Sequence, residues 1–357
     1  MFNTSSISGH ITLESAGLVA LADLSTVAVR TALTGTASWL DILVLAPGMH
    51  QQQSADEVNR GEFPQTGSLT SGHVFRIENP ATVSYLQSIG RTGYLVTAQV
   101  EPKSTLRYSL MESIAALLYL LCPLLTIIVF ALVGSIKDWW ALGVLWMLAL
   151  SRMINVVIIK QRVADSKDWK GGDEKPEAKG DLLVILSQDR WVRLRGQLYV
   201  VKRVTAGQWL RDENRVESLA VGIATLLVYA AAALAGNAST VGSLLIALLL
   251  LCSVASLALG NSFTYRLQMY NCIVQEDKTL EKTYERRSVM VEDLIVEEIN
   301  NTRGQDDRES DPGEWAIQMG LIKRSELRAI LQRHLSPSAL SRSIGLQSST
   351  ISSSTDV

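Results

Sequence analysis

Hydrophobic and polar positions follow several periods along this chain, and the longest apolar runs dominate the pattern. Residues 113–134, SIAALLYLLCPLLTIIVFALVG, carry no formal charge. At about 1.5 Å per residue, a helix of this length crosses the roughly 30 Å hydrocarbon core of a bilayer. Three similar runs follow, at 139–159, about 218–236 and about 241–260. The pattern therefore predicts an α-helical membrane protein with four transmembrane helices in two hairpins, at 110–159 and 216–260.

The second hairpin differs from the first in its small residues. Ala220, Ala224, Ala231 and Gly236 lie in its first helix, and Ser253, Ser256 and Gly260 lie in its second. Small residues let helix backbones approach closely in membranes. We expect the two helices of this hairpin to pack tightly on each other, with the alternative that alanine is simply common in spanning helices.

The first 109 residues show shorter patterns. From Thr12 to Leu33 apolar residues recur at helical spacing, but Asp23 and Arg30 interrupt them. This favours an amphipathic, packed helix over a membrane span. The run SWLDILVLAPG, at 38–48, is too short to cross a bilayer, and we predict a buried strand near 42–46.

The remainder of this region alternates between apolar and polar residues in two places. The alternation predicts half-buried strands at 73–78 and 94–100. Between them, Pro80 is suited to the first turn of a helix that runs to about Ser88. Residues 49–72 are interpreted as a loop.

The long internal loop, 160–215, contains a further strand pattern after a charged linker at 161–180. Residues 182–186 are continuously apolar and 191–195 alternate, which predicts a β-hairpin over 182–195. Because an isolated hairpin is marginally stable in water, its strands need partners. We therefore expect one small α+β cytosolic domain, assembled from the N-terminal region 1–109 and the loop 160–215.

After the fourth run, residues 261–335 form an amphipathic tail. Leu280, Tyr284, Val291, Ile295 and Ile299 share one helical face, which predicts a helix resting on the membrane surface or on the soluble domain. A partner-binding coiled coil is the alternative. Two short ordered pieces are expected at 313–322 and 325–335, and the Ser/Thr-rich tail, 336–357, is predicted to be disordered.

Charge defines the expected partners and orientation. The net charge is −2, from 33 Lys+Arg and 35 Asp+Glu, so no electrostatic field favours nucleic acid. The loop 160–215 holds 13 Lys+Arg, whereas 135–138 holds one and 237–240 none. By the positive-inside rule, that loop and both termini are expected in the cytosol, in a plasma membrane or endomembrane. The first residues lack the pattern of a cleavable signal peptide.

The sequence contains no recognisable catalytic or ligand-binding motif. The four histidines show no metal-ligand spacing, and the three cysteines, an odd number, imply no disulfide framework. Gly171 and Gly172 precede no phosphate-binding loop pattern, and no nucleophile has an identifiable base. We therefore predict no catalytic residue, no metal, no cofactor and no enzymatic activity.

One charge interrupts a predicted span. Arg152 lies about 10 Å, at 1.5 Å per residue, from the charged end of the second span. A snorkelling side chain is the favoured interpretation, and it predicts that Leu would be tolerated there. The alternative is a functional intramembrane charge that faces the bundle with Asn155 or Glu217.

The chain resembles a known protein family in three stretches, at 138–158 (DWWALGVLWMLALSRMINVVI), 179–196 (KGDLLVILSQDRWVRLRG) and 205–212 (TAGQWLRD). From about Ile11 to Gly320 the chain resembles a family of uncharacterised multi-pass membrane proteins of filamentous fungi. The resemblance implies a eukaryotic membrane protein and supplies no site residues. We expect a non-enzymatic scaffold or accessory subunit, in contact with lipid and with a membrane-protein partner or a second copy. The alternative is a small transporter or channel subunit that uses Arg152.

Overall fold

The computed structural model describes residues 15–103, 110–165, 178–302 and 312–334. The α-helices are α1 (Ser15–Ala20), α2 (Thr26–Thr34), α3 (Pro80–Ile89), α4 (Leu110–Ile136), α5 (Trp139–Asp165), α6 (Leu198–Thr205), α7 (Arg215–Leu234), α8 (Thr240–Ser262), α9 (Arg287–Thr302), α10 (Glu314–Gln318) and α11 (Arg324–His334). The strands are β1 (Gln65–Ser68), β2 (Val74–Arg76), β3 (Tyr94–Pro102), β4 (Lys179–Leu186), β5 (Arg190–Gln197), β6 (Arg266–Met269), β7 (Cys272–Glu276) and β8 (Lys282–Thr283). The predicted disordered tail, 336–357, and most of the linker at 161–180 lie outside the described residues.

Four helices are long and apolar enough to cross a membrane, by length and composition. The four segments are Glu112–Ile136, Trp139–Val163, Arg215–Asn237 and Thr240–Ser262. Large apolar side chains on their outer surfaces are exposed, among them Leu117, Trp146 and Leu226. The four predicted spans are thus confirmed as helices of the required length.

These four helices pair mainly across the two hairpins. The most extensive contacts join α4 to α8 and α5 to α7. Ser151 Oγ on α5 donates to the carbonyl of Ala224 on α7 at 2.7 Å, and Gly260 on α8 faces Ala115 on α4. The expected close packing of the second hairpin on itself is therefore wrong, since its small residues face the helices of the first hairpin.

An eight-stranded sheet forms the rest of the core. The strand order is β2-β1-β4-β5-β3-β7-β6, with β8 also paired to β3. Only the β3–β5 pair is parallel among these pairings. The predicted strands at 73–78 and 94–100, the helix from Pro80 and the hairpin over 182–195 are confirmed, and the N-terminal region and the loop share one sheet.

Three regions of the chain differ from the sequence prediction. The strand predicted near 42–46 is wrong, because Trp39–Leu43 forms a 3₁₀ helix that Ser38 caps. The interval 49–72 is more than a loop, since Met49–Glu57 is a second 3₁₀ helix and β1 follows it. The amphipathic tail also contributes three strands, β6 to β8, that its helical stripe did not indicate.

Helices α9 to α11 cover the outer face of the sheet. Met290, Leu294 and Ile299 of α9 pack with Leu183 and Trp191 of the sheet. The predicted helix therefore rests on the sheet, although it begins at Arg287, after Leu280 and Tyr284. The two expected short pieces are α10 and α11.

An ion-pair cluster fixes α9 to this face. Arg193 bridges Asp181 (2.6 Å) and Glu297 (2.8 Å), and Arg195 contacts the same two carboxylates. Burial acts to raise the pKa of Glu297, but hydrogen bonds from Arg193 and Arg195 outweigh it and lower that pKa. The carboxylate is therefore ionised at neutral pH.

The inner face of the sheet rests on the helix bundle. Val184, Val192 and Leu194 of the sheet belong to the same buried core as Val156 and Ile159 of α5. Helices α2, α3 and α6 complete this core. The sheet and the sheet-proximal end of α5 thus share one hydrophobic core.

The N-terminal segment runs from one end of the bundle to the other. In α1, a Cβ added at Gly17 would lie 2.4 Å from the carbonyl oxygen of Ala232, in the last turn of α7. In α2, Thr26 accepts a hydrogen bond from Asn261 at 3.0 Å, at the sheet-proximal end of α8. The single packed helix predicted from Thr12 to Leu33 is therefore two helices, separated by residues 21–25.

Candidate functional site

Arg152 lies inside the bundle and is held by the N-terminal segment. It is 2% exposed, so the snorkelling interpretation is wrong. Its Nε donates to the backbone carbonyl of Asp41 at 2.9 Å, and its Nη1 donates to Oε1 of Gln52. Gln52 Nε2 in turn donates to Thr31 Oγ1 at 3.1 Å. The guanidinium thus joins α5 directly to Asp41 and Gln52, and through Gln52 to α2.

Asp41 connects this cluster to α4. Its Oδ1 accepts a hydrogen bond from the hydroxyl of Tyr119 at 2.8 Å, and its Oδ2 accepts one from the backbone N–H of Ser38 at 2.6 Å. Arg30 stacks over the Tyr119 ring, 5.2 Å from its centroid. Because the carbonyl bound by Arg152 and this carboxylate belong to the same residue, a negative charge accompanies the buried cation.

A second polar layer lies nearer the sheet. Gln53 Nε2 donates to Oδ1 of Asn155 at 3.1 Å. Arg162 is also buried, and it donates to Gln53 Oε1 (3.0 Å), Asp56 Oδ2 (3.0 Å) and Glu213 Oε1 (3.3 Å). Asn155 is thus near Arg152 along α5, but it binds Gln53.

Glu217 is not part of the buried cluster. It lies in the first turn of α7, where it accepts from the backbone N–H of Asn214 at 2.7 Å and pairs with Arg211 at 2.7 Å. These contacts form a helix-capping box. The alternative in which Arg152 and Glu217 form an intramembrane pair is therefore not what the structure contains.

Two irregular segments meet deeper in the bundle. Residues 21–25 separate α1 from α2, and Gly48 lies between the two 3₁₀ helices, Trp39–Leu43 and Met49–Glu57. A Cβ on Gly48 would lie 1.9 Å from the carbonyl oxygen of Leu24. His50 is beside this contact, with its ring 6.1 Å from that of Tyr229. Interrupted helices of this type line substrate sites in several transporter folds.

An apolar groove opens beside the cluster between α4 and α5. It has a volume of about 350 Å³ and is lined by Ile42, Leu43, Ile127, Phe130, Trp146, Ala149, Leu150 and Met153. The groove exists because α4 and α5 make few contacts and the first 3₁₀ helix lies between them. Among the described residues, no group of three His, Cys, Asp or Glu side chains could hold a metal ion.

Sequence reasoning identified Arg152 but missed the residues that bind it. Asp41 lies in the run that predicts a strand, and Gln52 lies in the interval interpreted as a loop. The available signal was an arginine within an apolar helix, which requires internal acceptors. The run Gln51 to Gln53 between an apolar segment and a strand offers such acceptors.

Comparison of the chain with protein-family models, with curated proteins and with solved structures found no match.

Proposed function

We propose that this chain is an integral membrane protein without enzymatic activity, and that its sheet domain is a scaffold for a partner protein. The observation that carries the proposal is the edge of the sheet at β2, whose outer side pairs with no other strand in the part of the chain that the structure describes. The opposite edge, β6, is covered by α2. Edge strands expose free backbone N–H and C=O groups, which can pair with an extended segment of another protein.

The register of β2 indicates which of its groups are free. Ser68 N–H donates to His73 and Ile77 N–H donates to Pro64, so alternate residues of β2 face β1. Phe75, opposite Thr66, belongs to the paired set. The backbone groups of Val74 and Arg76 therefore point away from the sheet.

Aromatic side chains adjoin this edge. Phe63 is 50% exposed and Phe75 is 36% exposed. Exposed aromatic residues are typical anchors of protein interfaces. The proposed occupant is therefore an extended segment of a partner, paired with β2 and packed on these two rings.

The membrane orientation in this proposal places the sheet in the cytosol. Its support is the high Lys and Arg content of the loop 160–215 compared with the two short connections. The resemblance to fungal multi-pass proteins belongs to the same proposal.

The test compares two substitutions at one position of β2. Arg76→Pro removes an outward N–H donor, whereas Arg76→Ala removes the charge and keeps the donor. A partner that copurifies in equal amount with the wild-type chain should be lost from Arg76→Pro and kept by Arg76→Ala, and purified components should reproduce this difference. Equal binding to the two variants, or no stoichiometric partner at all, would contradict the proposal.

A small transporter is the second candidate, and the meeting of residues 21–25 with Gly48 favours it. Purified wild-type chain in sealed vesicles would then conduct a solute. His50→Phe should abolish that flux without loss of folded protein, while Phe63→Ala, at the distant sheet edge, should leave it unchanged. Vesicles without flux under either sign of ion gradient would contradict this candidate.

A further inference from the structure

A second polar cavity lies where the sheet meets the helix bundle, away from Arg152. Its volume is about 370 Å³, within the range of small-molecule sites, roughly 300 to 1,000 Å³. Its walls are the end of α2, the end of α5, α6 and the turn between β6 and β7. The lining residues are Thr34, Gly35, Thr36, Lys103, Val163, Arg203, Gln268, Met269, Tyr270, Asn271 and Cys272.

The charges that line this cavity are all positive. Lys103 and Arg203 contribute cations, and none of the lining residues is Asp or Glu. No carboxylate among the described residues forms an ion pair with either cation. Two cations that share a cavity without a carboxylate produce a field that attracts an anion.

Arg203 has a weak partner that does not neutralise it. Its guanidinium lies near the thiol of Cys272, which donates its own hydrogen to the backbone carbonyl of Tyr270 at 3.5 Å. Burial raises the pKa of this thiol, so the sulfur carries no negative charge at neutral pH. An arginine has five N–H donors in a planar fork, and most of them are left for an anionic ligand.

The surrounding backbone holds the cavity open. Gly35 ends α2 with φ of +68°, and a Cβ there would lie 2.5 Å from the carbonyl oxygen of Gln268. Trp209 Nε1 donates to the carbonyl of Gly35 at 2.8 Å. Tyr270 and Asn271 adopt φ of +49° and +63° in the tight turn that forms the opposite wall. The walls are therefore built before any ligand binds.

A neighbouring cavity differs from this one because carboxylates as well as cations line it. It has a volume of about 490 Å³ and lies on the other side of β7, with Glu101, Glu112, Glu276 and Asp277 in its lining. One of its two cations is neutralised locally, since Arg266 pairs with Glu112 at 2.6 Å. Lys278 also lines it and supplies a matched control position.

We propose that the cavity formed by Lys103, Arg203, Thr36 and the β6–β7 turn binds a phosphate monoester. Arg203 provides a planar pair of donors for two phosphate oxygens, and Lys103 provides a point charge. Val163, at the end of a candidate membrane span, lines the same cavity, which places it at headgroup depth if the helices cross a bilayer. The phosphate could belong to a lipid headgroup or to a soluble molecule, and the experiment separates these two sources.

The test uses the full chain in nanodiscs of neutral phosphatidylcholine. One arm adds a minor fraction of phosphatidic acid and counts retained lipid by native mass spectrometry, and the other titrates inorganic phosphate by calorimetry. Arg203→Gln and Lys103→Gln should each weaken binding about tenfold, the equivalent of about 1.4 kcal/mol. Lys278→Gln should leave it unchanged.

The outcome identifies the ligand or overturns the site. Retention of phosphatidic acid alone, lost in the two cavity variants, assigns a lipid headgroup, and binding of inorganic phosphate with the same dependence assigns a soluble phosphoester. No binding in either arm, or equal loss in Lys278→Gln, overturns the proposal. Because Lys103 is exposed, Lys103→Gln should fold normally even if Arg203→Gln does not.

Discussion

The Nε of Arg152 and the backbone carbonyl of Asp41 are joined by a 2.9 Å hydrogen bond between residues that are 111 positions apart in sequence. This bond attaches α5 to an irregular segment that fills the space between the α4–α8 and α5–α7 pairs. Without this segment the two pairs would leave a gap at their centre. Arg152, which is a charge within an apolar run of the sequence, therefore holds α5 to the irregular segment inside the bundle.

Arg152→Leu should destabilise the folded chain. Leu cannot donate to the Asp41 carbonyl or to Oε1 of Gln52, and a buried unsatisfied acceptor costs about 1 to 3 kcal/mol. Sequence reasoning predicted instead that Leu would be tolerated. Thermal unfolding in detergent measures the difference, and Arg328→Leu, at an exposed position of α11, is the control. An unchanged midpoint for Arg152→Leu would show that the cluster contributes nothing to stability.

The sequence predicted the elements whose causes are local. Four spans follow from long apolar runs, of which only the second contains a charge, Arg152. Strands β4 and β5 follow from apolar and alternating patterns that 187–189 separate. Pro80 marked the start of α3 because proline suits the first turn of a helix. Each of these signals is contained in fewer than about 25 residues, a length that one helix or hairpin occupies.

The buried cluster could not be predicted in this way, because its partners are distant along the chain. Asp41 has apolar neighbours, so its segment resembles a strand until Arg152 and Tyr119 are seen beside it. The strands β6 and β7 were missed for a related reason. They are short, and they are stable because β3 supplies a partner for β7.

The N-terminal segment predicts a membrane topology that differs from the one expected from charge alone. Since α1 contacts the last turn of α7 and α2 contacts β6, residues 15–34 would cross the bilayer as an interrupted fifth pass. A reporter fused before Ser15 should lie on the side opposite to one inserted at 166–177. A reporter in the 235–239 connection should agree with the N-terminal one. Reporters before Ser15 and at 166–177 on the same side would contradict the fifth pass.

Glu297→Gln should weaken the attachment of α9 in a pH-dependent manner. The pKa of Glu297 is lowered in the folded chain, so its stabilisation is fully present above the ordinary value of 4.5 and is lost as pH falls through the folded pKa. At neutral pH the variant should lose about 1 kcal/mol, from weaker bonds to Arg193 and Arg195. Unfolding monitored from neutral to acidic pH should show the two proteins converging. A constant difference at all pH values would contradict the ionic origin. Glu314→Gln, in α10, serves as the control.

Gly48→Ala should break the contact between the segment at 38–57 and residues 21–25, which separate α1 from α2. Gly48 has φ of +78°, and the new Cβ would lie 1.9 Å from a backbone carbonyl oxygen, where no side-chain rotation relieves the overlap. Gly61→Ala is the matched control, because Gly61 has φ of +72° and nothing within 4 Å of the added Cβ. The control should lose only the stability that alanine costs at a positive φ, about 1 to 2 kcal/mol. Gly48→Ala should lose more and should also expose the cluster, which increased proteolysis after residues 51–53 would detect. Equal losses for the two variants would mean that the contact between Gly48 and Leu24 does not hold the bundle together.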